Sequence, residues 1–283
     1  MPSRNLGNLA LAAAIALVAA LVLFARDGTG VWRIPFLSPE SAATPVHVAG
    51  ADGGSEKKKK KPRAAASKPT KQAAAGVTAK APLSKEVKDP ATGLVLPRTK
   101  RFPPSKADLT CLGVGVRAKS IAVAKVNVYT VGLYVNPKGA RGALKKYAGS
   151  DPISLSKDKS LFKVLGQVGG FSKYLHLVFA RNVGAQKVVD ALTSVKGVGK
   201  GVLDRFSTLM LDAVGASIGK GESVTLGWEG KDKMVILVRD KSAGTIVDAA
   251  LPKAVFDLYL GSSPVSPAAK AAFAEGVLAF LAS

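Results

Sequence analysis

The stretch GVGVRAKSIAVAKVNVYTVGLYV, from Gly113 to Val135, constrains this chain more than any other. Nearly every position is apolar or tiny, and it reads as two strands, over 109–118 and 125–135. A hairpin turn at 122–124, centred on Val123, sets Arg117 directly opposite Tyr129. Their side chains then share one face, with Cβ atoms roughly 5 Å apart. Gly113 and Gly115 lie on the same face, because strand side chains alternate. Having no side chains, they are expected to leave empty volume beside the arginine. Val131, Leu133 and Val135 continue that face past Tyr129. The expected surface is therefore apolar, with a gap, and one guanidinium and one phenol stand at its end. A buried guanidinium needs an anion, and a carboxylate matches its fork. That anion is either an internal acid, with Asp190, Asp204, Asp212 and Glu222 as candidates, or the head of a ligand with an apolar body. The residues alone leave these two equal.

The rest of the chain supplies the layers. KYLHLVFAR at 173–181 alternates as a strand, and ARGALKKYA suits a short helix. GAQKVVDALTSV has helical spacing, with Val188, Leu192 and Val195 on one stripe. KGVGKG breaks the chain before a second helix, VLDRFSTLMLDAV; it lacks the ending of a phosphate loop and is read as a turn between helices. ESVTLGWEG, KMVILVRD and AGTIVDAAL read as strands, PKAVFDLYLG and SPAAKAAFAEGVLAFLA as helices. In the last, Ser266 suits the N-cap and Pro267 the first helical position. The order strands, helices, strands, helices predicts an α+β fold, a mainly antiparallel sheet covered by helices on one face.

Residues 9–24 are an unbroken apolar run. With the residues just before it, the stretch 6–24 approaches the ~20 needed to span a bilayer as a helix. It ends in LVLFARDG, a poor cleavage site, so an uncleaved membrane anchor is expected, with plastid targeting as the alternative. The net charge of +22 is uneven: residues 56–101 carry fourteen Lys and Arg against three acids, most densely in EKKKKKPR. No aromatic is interleaved there, so no base-stacking platform and no nucleic-acid partner are expected. The run is read as a solvated tether that also favours anionic lipid. One cysteine and two distant histidines exclude a disulfide and argue against metal or triad chemistry; His176 reads as a packed strand histidine, and no cofactor is expected. The expected organisation is an anchor or targeting segment at 1–30, a disordered linker at 31–103 and a folded domain at 104–283.

GVGVRAKSIAVAKVNVYTVGLYV, taken with ARNVGAQKVVDAL and FDLYLGSSPVSPAAK, resembles the chalcone isomerase fold family over roughly residues 102–283. The resemblance implies an open-faced sandwich, a large antiparallel sheet with helices on one face. The family holds isomerases that are intramolecular lyases, non-catalytic relatives, and plastid fatty-acid-binding proteins. In an isomerase, Arg117 would steady the anion that develops during ring closure. The isomerase threonine falls on Tyr129, as in the fatty-acid-binding branch. Its tyrosine falls near Gly184 or Ala185, its polar residue before the late glycine on Leu258 or Tyr259, and its asparagine near Ala191. The groups that stabilise charge in the transition state are thus largely changed, with Tyr259 or Thr130 as substitutes. The resemblance implies that Arg117 and Tyr129 hold a fatty-acid carboxylate while the acyl chain lies between sheet and helices. An intramolecular lyase and a non-catalytic auxiliary protein are the alternatives.

Overall fold

The computed structural model describes residues 84–121 and 124–283, so the apolar run and most of the basic linker lie outside the described residues. Strands β1 (Glu86–Lys88) and β2 (Val95–Pro97) pair with each other, and the short β3 (Thr99–Lys100) follows. The long hairpin strands are β4 (Leu109–Ile121) and β5 (Ala124–Val135). Next come α1 (Pro137–Leu144), a 3-10 turn at Lys145–Tyr147, α2 (Pro152–Lys157) and α3 (Lys159–Leu165). Then β6 (Lys173–Phe179) returns to the sheet. A short β7 (Val183–Gly184) leads into α4 (Ala185–Thr193), α5 (Lys200–Val214) and β8 (Ser217–Ile218), which pairs with β7. Strands β9 (Ser223–Glu229), β10 (Lys233–Val238) and β11 (Lys241–Val247) precede α6 (Ala250–Leu260) and α7 (Pro267–Ala282).

Seven strands form one sheet in the order β11-β10-β9-β6-β5-β4-β3, and every pairing is antiparallel. The expected α+β architecture holds. On the helix-covered face, Val131, Leu133 and Val135 of β5 join Leu175 and Leu177 of β6 and Trp228 of β9. Phe206 and Met210 from α5, Phe256 from α6, and Phe273 and Val277 from α7 close over them. Burial of these large side chains, each worth about 1.5–3 kcal/mol, holds the layers together.

Three expectations need correction. First, residues 84–103 are not linker. Leu96 and Phe102 are buried on the second face of the sheet, against Tyr134, Tyr174, Val235 and Leu237. Phe102 stacks on Tyr174 at 5.2 Å and meets Tyr134 edge-on at 5.0 Å, geometries favourable to aromatic pairs. Its charged and Pro-rich composition hides this, because two anchors spaced six residues apart set up no local period. Second, Gly113 and Gly115 leave no empty volume where their side chains would point. Helix α7 lies across them: a Cβ at Gly113 would meet the Ala272 carbonyl oxygen at 2.3 Å, and one at Gly115 would meet Ala269 Cα at 2.5 Å. These glycines permit a close approach of two backbones. Third, α4 ends at Thr193, so Val195 lies beyond the stripe that buries Val188 and Leu192.

The start of α7 is fixed as expected. Ser266 accepts a hydrogen bond from the Ala269 N–H at 3.2 Å. Its hydroxyl also donates to the Val116 carbonyl at 2.6 Å, tying the helix to β4 one residue before Arg117. His176 is buried and lies 2.7 Å from Thr225 Oγ1, a packed strand histidine.

Candidate ligand-binding cleft

The hairpin register brings Arg117 opposite Tyr129. It does so through a bulge rather than through the turn alone. Ile121 pairs with Ala124 and Ala118 with Asn127, after which Val128 is skipped and Arg117 meets Tyr129. Bulges re-aim side chains, and this one brings the phenol level with the guanidinium.

Tyr129 points into the helix-covered layer and is buried. Its ring packs on Phe179 of β6, with centroids 5.4 Å apart. Its hydroxyl lies 2.7 Å from that of Tyr259 on α6, itself fully buried. Burial pushes the Tyr129 phenol up, with the Tyr259 hydrogen bond and the Arg117 charge opposing. Burial likewise holds Tyr259 well above the ordinary phenol range. Both groups are therefore neutral at physiological pH; either hydroxyl can donate to the other, and only Tyr129 reaches the cleft.

Arg117 is half-buried and donates to the Val265 carbonyl, in the turn between α6 and α7. None of the acids considered above meets it. Asp190 accepts from Gln186, Asp204 pairs with Lys200, and Glu222 pairs with Arg239. Among the described residues no carboxylate forms an ion pair with Arg117. The internal salt bridge left open by the sequence is absent there.

Arg117 and Tyr129 instead border a half-open cleft of about 520 Å³ between the ends of β4, β5 and β6 and helix α4. The volume lies within the ~300–1,000 Å³ range of small-molecule sites. Its apolar wall includes Val128, Leu177, Phe179, Val188 and Leu192. Lys119, Arg181 and Lys187 add three further cations, and no acid lines it. Gly184 and Ala191, the positions matched to the isomerase tyrosine and asparagine, also line it, with no polar side-chain atom at either. Thr130 does not substitute: it faces the other side of the sheet, where its hydroxyl donates to Asp89 at 2.7 Å. Tyr259 stands behind Tyr129 rather than in the wall. Among the described residues there is no cluster of metal-ligating side chains, and no helix is long and apolar enough to cross a membrane.

The tyrosine pair has a measurable signature. Tyr259→Phe removes the buried partner of the Tyr129 hydroxyl and should cost about 1–3 kcal/mol. Both phenols titrate above the unfolded value of about 10, so the stability they carry is complete below that pH and is lost as pH rises past it. The double variant Tyr129→Phe/Tyr259→Phe should therefore lose less stability between pH 9 and 11 than the parent, as read by urea unfolding.

Sequence reasoning did not find the roles of Val265, Lys119, Arg181 and Lys187. Val265 acts through its backbone, which no side-chain pattern reveals. Lys187 carried one signal: it is a cation in the first turn of a helix.

The seven-stranded antiparallel sheet with helices on one face defines a fold class, and comparison with known proteins identifies the family. The chalcone isomerase-like family model matches residues 92–273. The chain belongs to the chalcone isomerase-like family. Among solved structures, a fatty-acid binding protein of Arabidopsis thaliana superposes with a TM-score of 0.58 at 20% identity, over 69% of this chain and 98% of that one. No curated protein matches the sequence.

Proposed function

We propose that this protein binds a fatty acid or a similar apolar carboxylate, with Arg117 and Tyr129 holding the head. The observation that carries this reading is a half-buried guanidinium, without a carboxylate partner among the described residues, that borders a cleft with an apolar wall and no acid. The likeness in fold to a fatty-acid binding protein supports it. The isomerase reading loses support because Gly184 and Ala191 bring no polar side chain to the wall. An auxiliary role without a ligand loses support from the size of the cleft. In this reading the run at 6–24 tethers the domain to a membrane, with plastid import as the alternative. Alkaline carbonate extraction tests the tether: an anchored chain stays in the pellet, and release overturns it.

The function itself is tested by calorimetric titration of the full chain with laurate and with dodecanol, which share a chain and differ in the head. Charge-assisted hydrogen bonds are worth about 1.5–3 kcal/mol, so laurate should bind roughly 10–100-fold more tightly. Equal affinities, or no binding of either, would overturn the proposal.

A further inference from the structure

The cleft carries more positive charge than one carboxylate can use. Arg117, Lys119, Arg181 and Lys187 line it without an acid, and none of the four is in an ion pair among the described residues. This is not simply the chain's overall basicity. A second groove of about 500 Å³, against α7, mixes Lys88 and Arg98 with Asp89 and Glu275. The four cations also differ in depth. Arg117 is half-buried, whereas Lys119, Arg181 and Lys187 are exposed at the mouth. The inner guanidinium and the Tyr129 phenol suffice for one carboxyl or carbonyl group; the mouth remains.

Lys187 breaks a local rule as well. It is the third residue of α4, a helix with Gly184 at its N-cap, no capping side chain and no acid in its first turn. The positive end of the helix dipole disfavours a cation there. Nothing in the described fold compensates, and such unrewarded violations concentrate at functional sites. An anion at the mouth satisfies Lys119, Arg181, Lys187 and the helix end together.

Resting on the fatty-acid reading above, we infer that the preferred ligand is an acyl group joined to a phosphate-bearing head. The carbonyl lies at Arg117 and Tyr129, and the phosphate lies at Lys119, Arg181 and Lys187. A phosphate monoester carries about −1.5 to −2 charges at pH 7 and three acceptor oxygens, so it answers three cations where a carboxylate answers one.

The test titrates the full chain with laurate, 1-lauroylglycerol, 1-lauroyl lysophosphatidate and inorganic phosphate. At 50 mM salt, lysophosphatidate should bind about tenfold more tightly than laurate, and 1-lauroylglycerol more weakly than either. The advantage should shrink at 500 mM salt, where exposed charges are screened. Lys119→Gln/Lys187→Gln should abolish the advantage while costing laurate far less, and Lys119→Arg/Lys187→Arg should keep it. Equal binding of laurate and lysophosphatidate overturns this inference and leaves the fatty-acid reading standing. So does an advantage that survives the glutamine variant, or inorganic phosphate binding as tightly as the lipid. Failure of laurate itself to bind overturns the underlying reading instead.

Discussion

Arg117→Gln should lower laurate affinity by roughly 100-fold, while the domain still unfolds cooperatively. The cleft is half-open, so the guanidinium retains some water, and its bonds to a carboxylate fall in the charge-assisted range of about 1.5–3 kcal/mol. Its only internal hydrogen bond among the described residues goes to the Val265 carbonyl. Because no acid is orphaned by the change, the structural cost stays near that of one hydrogen bond, about 1 kcal/mol. For a folded unit of this size that is a drop of roughly 2–4 °C in Tm. Arg117→Lys should recover part of the affinity, since the charge remains and the bidentate fork does not. Full laurate affinity in Arg117→Gln, measured by calorimetry, would remove Arg117 from the site. Global unfolding of the variant would make it a structural residue.

Gly276→Ala should be the most damaging single methyl addition in the domain. A Cβ there would stand 1.4 Å from the Leu112 carbonyl oxygen and 2.3 Å from its carbonyl carbon. Both are backbone atoms in β4, which cannot swing away as a flexible side chain can. Relief requires α7 to lift from β4, and α7 carries Phe273, Ala274 and Val277 of the core. The expected cost exceeds about 3 kcal/mol, in the range of severe overpacking, or a Tm drop of roughly 10 °C. Gly142→Ala is the control. It lies in α1, where an added methyl would have no neighbouring atom within 4 Å, so helix propensity alone should raise stability by about 0.5–1 kcal/mol. A Gly276→Ala protein as stable as the parent would mean that α7 does not lie against β4 in this way.

The sequence carries the face of the hairpin well, because period-two alternation is local. Tyr129, Val131, Leu133 and Val135 form the inner face as expected. The Arg117–Tyr129 pairing follows in the sequence from a turn centred on Val123. In the structure the pairs nearest the tip centre half a residue earlier, and the extra Val128 restores the register. A bulge leaves no periodic trace, so this pairing is legible only because two small offsets cancel. Gly113 and Gly115 show a different limit. A glycine in a strand is compatible with a hole or with a close backbone approach, and the choice belongs to α7, some 150 positions away in the chain. The segment 84–103 is hidden for a related reason: its order rests on Leu96 and Phe102 finding Tyr134 and Tyr174 across the sheet. Tyr259 is named by the family resemblance, but its pairing with the Tyr129 phenol leaves no trace in an apolar helix.

Occupancy of the cleft at Arg117 by an acyl ligand is tested most directly by native mass spectrometry of the full chain and of Arg117→Gln, each equilibrated with the same mixture of free fatty acids and purified alike. One fatty acid should remain bound per parent chain and none on the variant, with both proteins folded. A parent that emerges empty, or a variant that retains the same ligand, would contradict that occupancy.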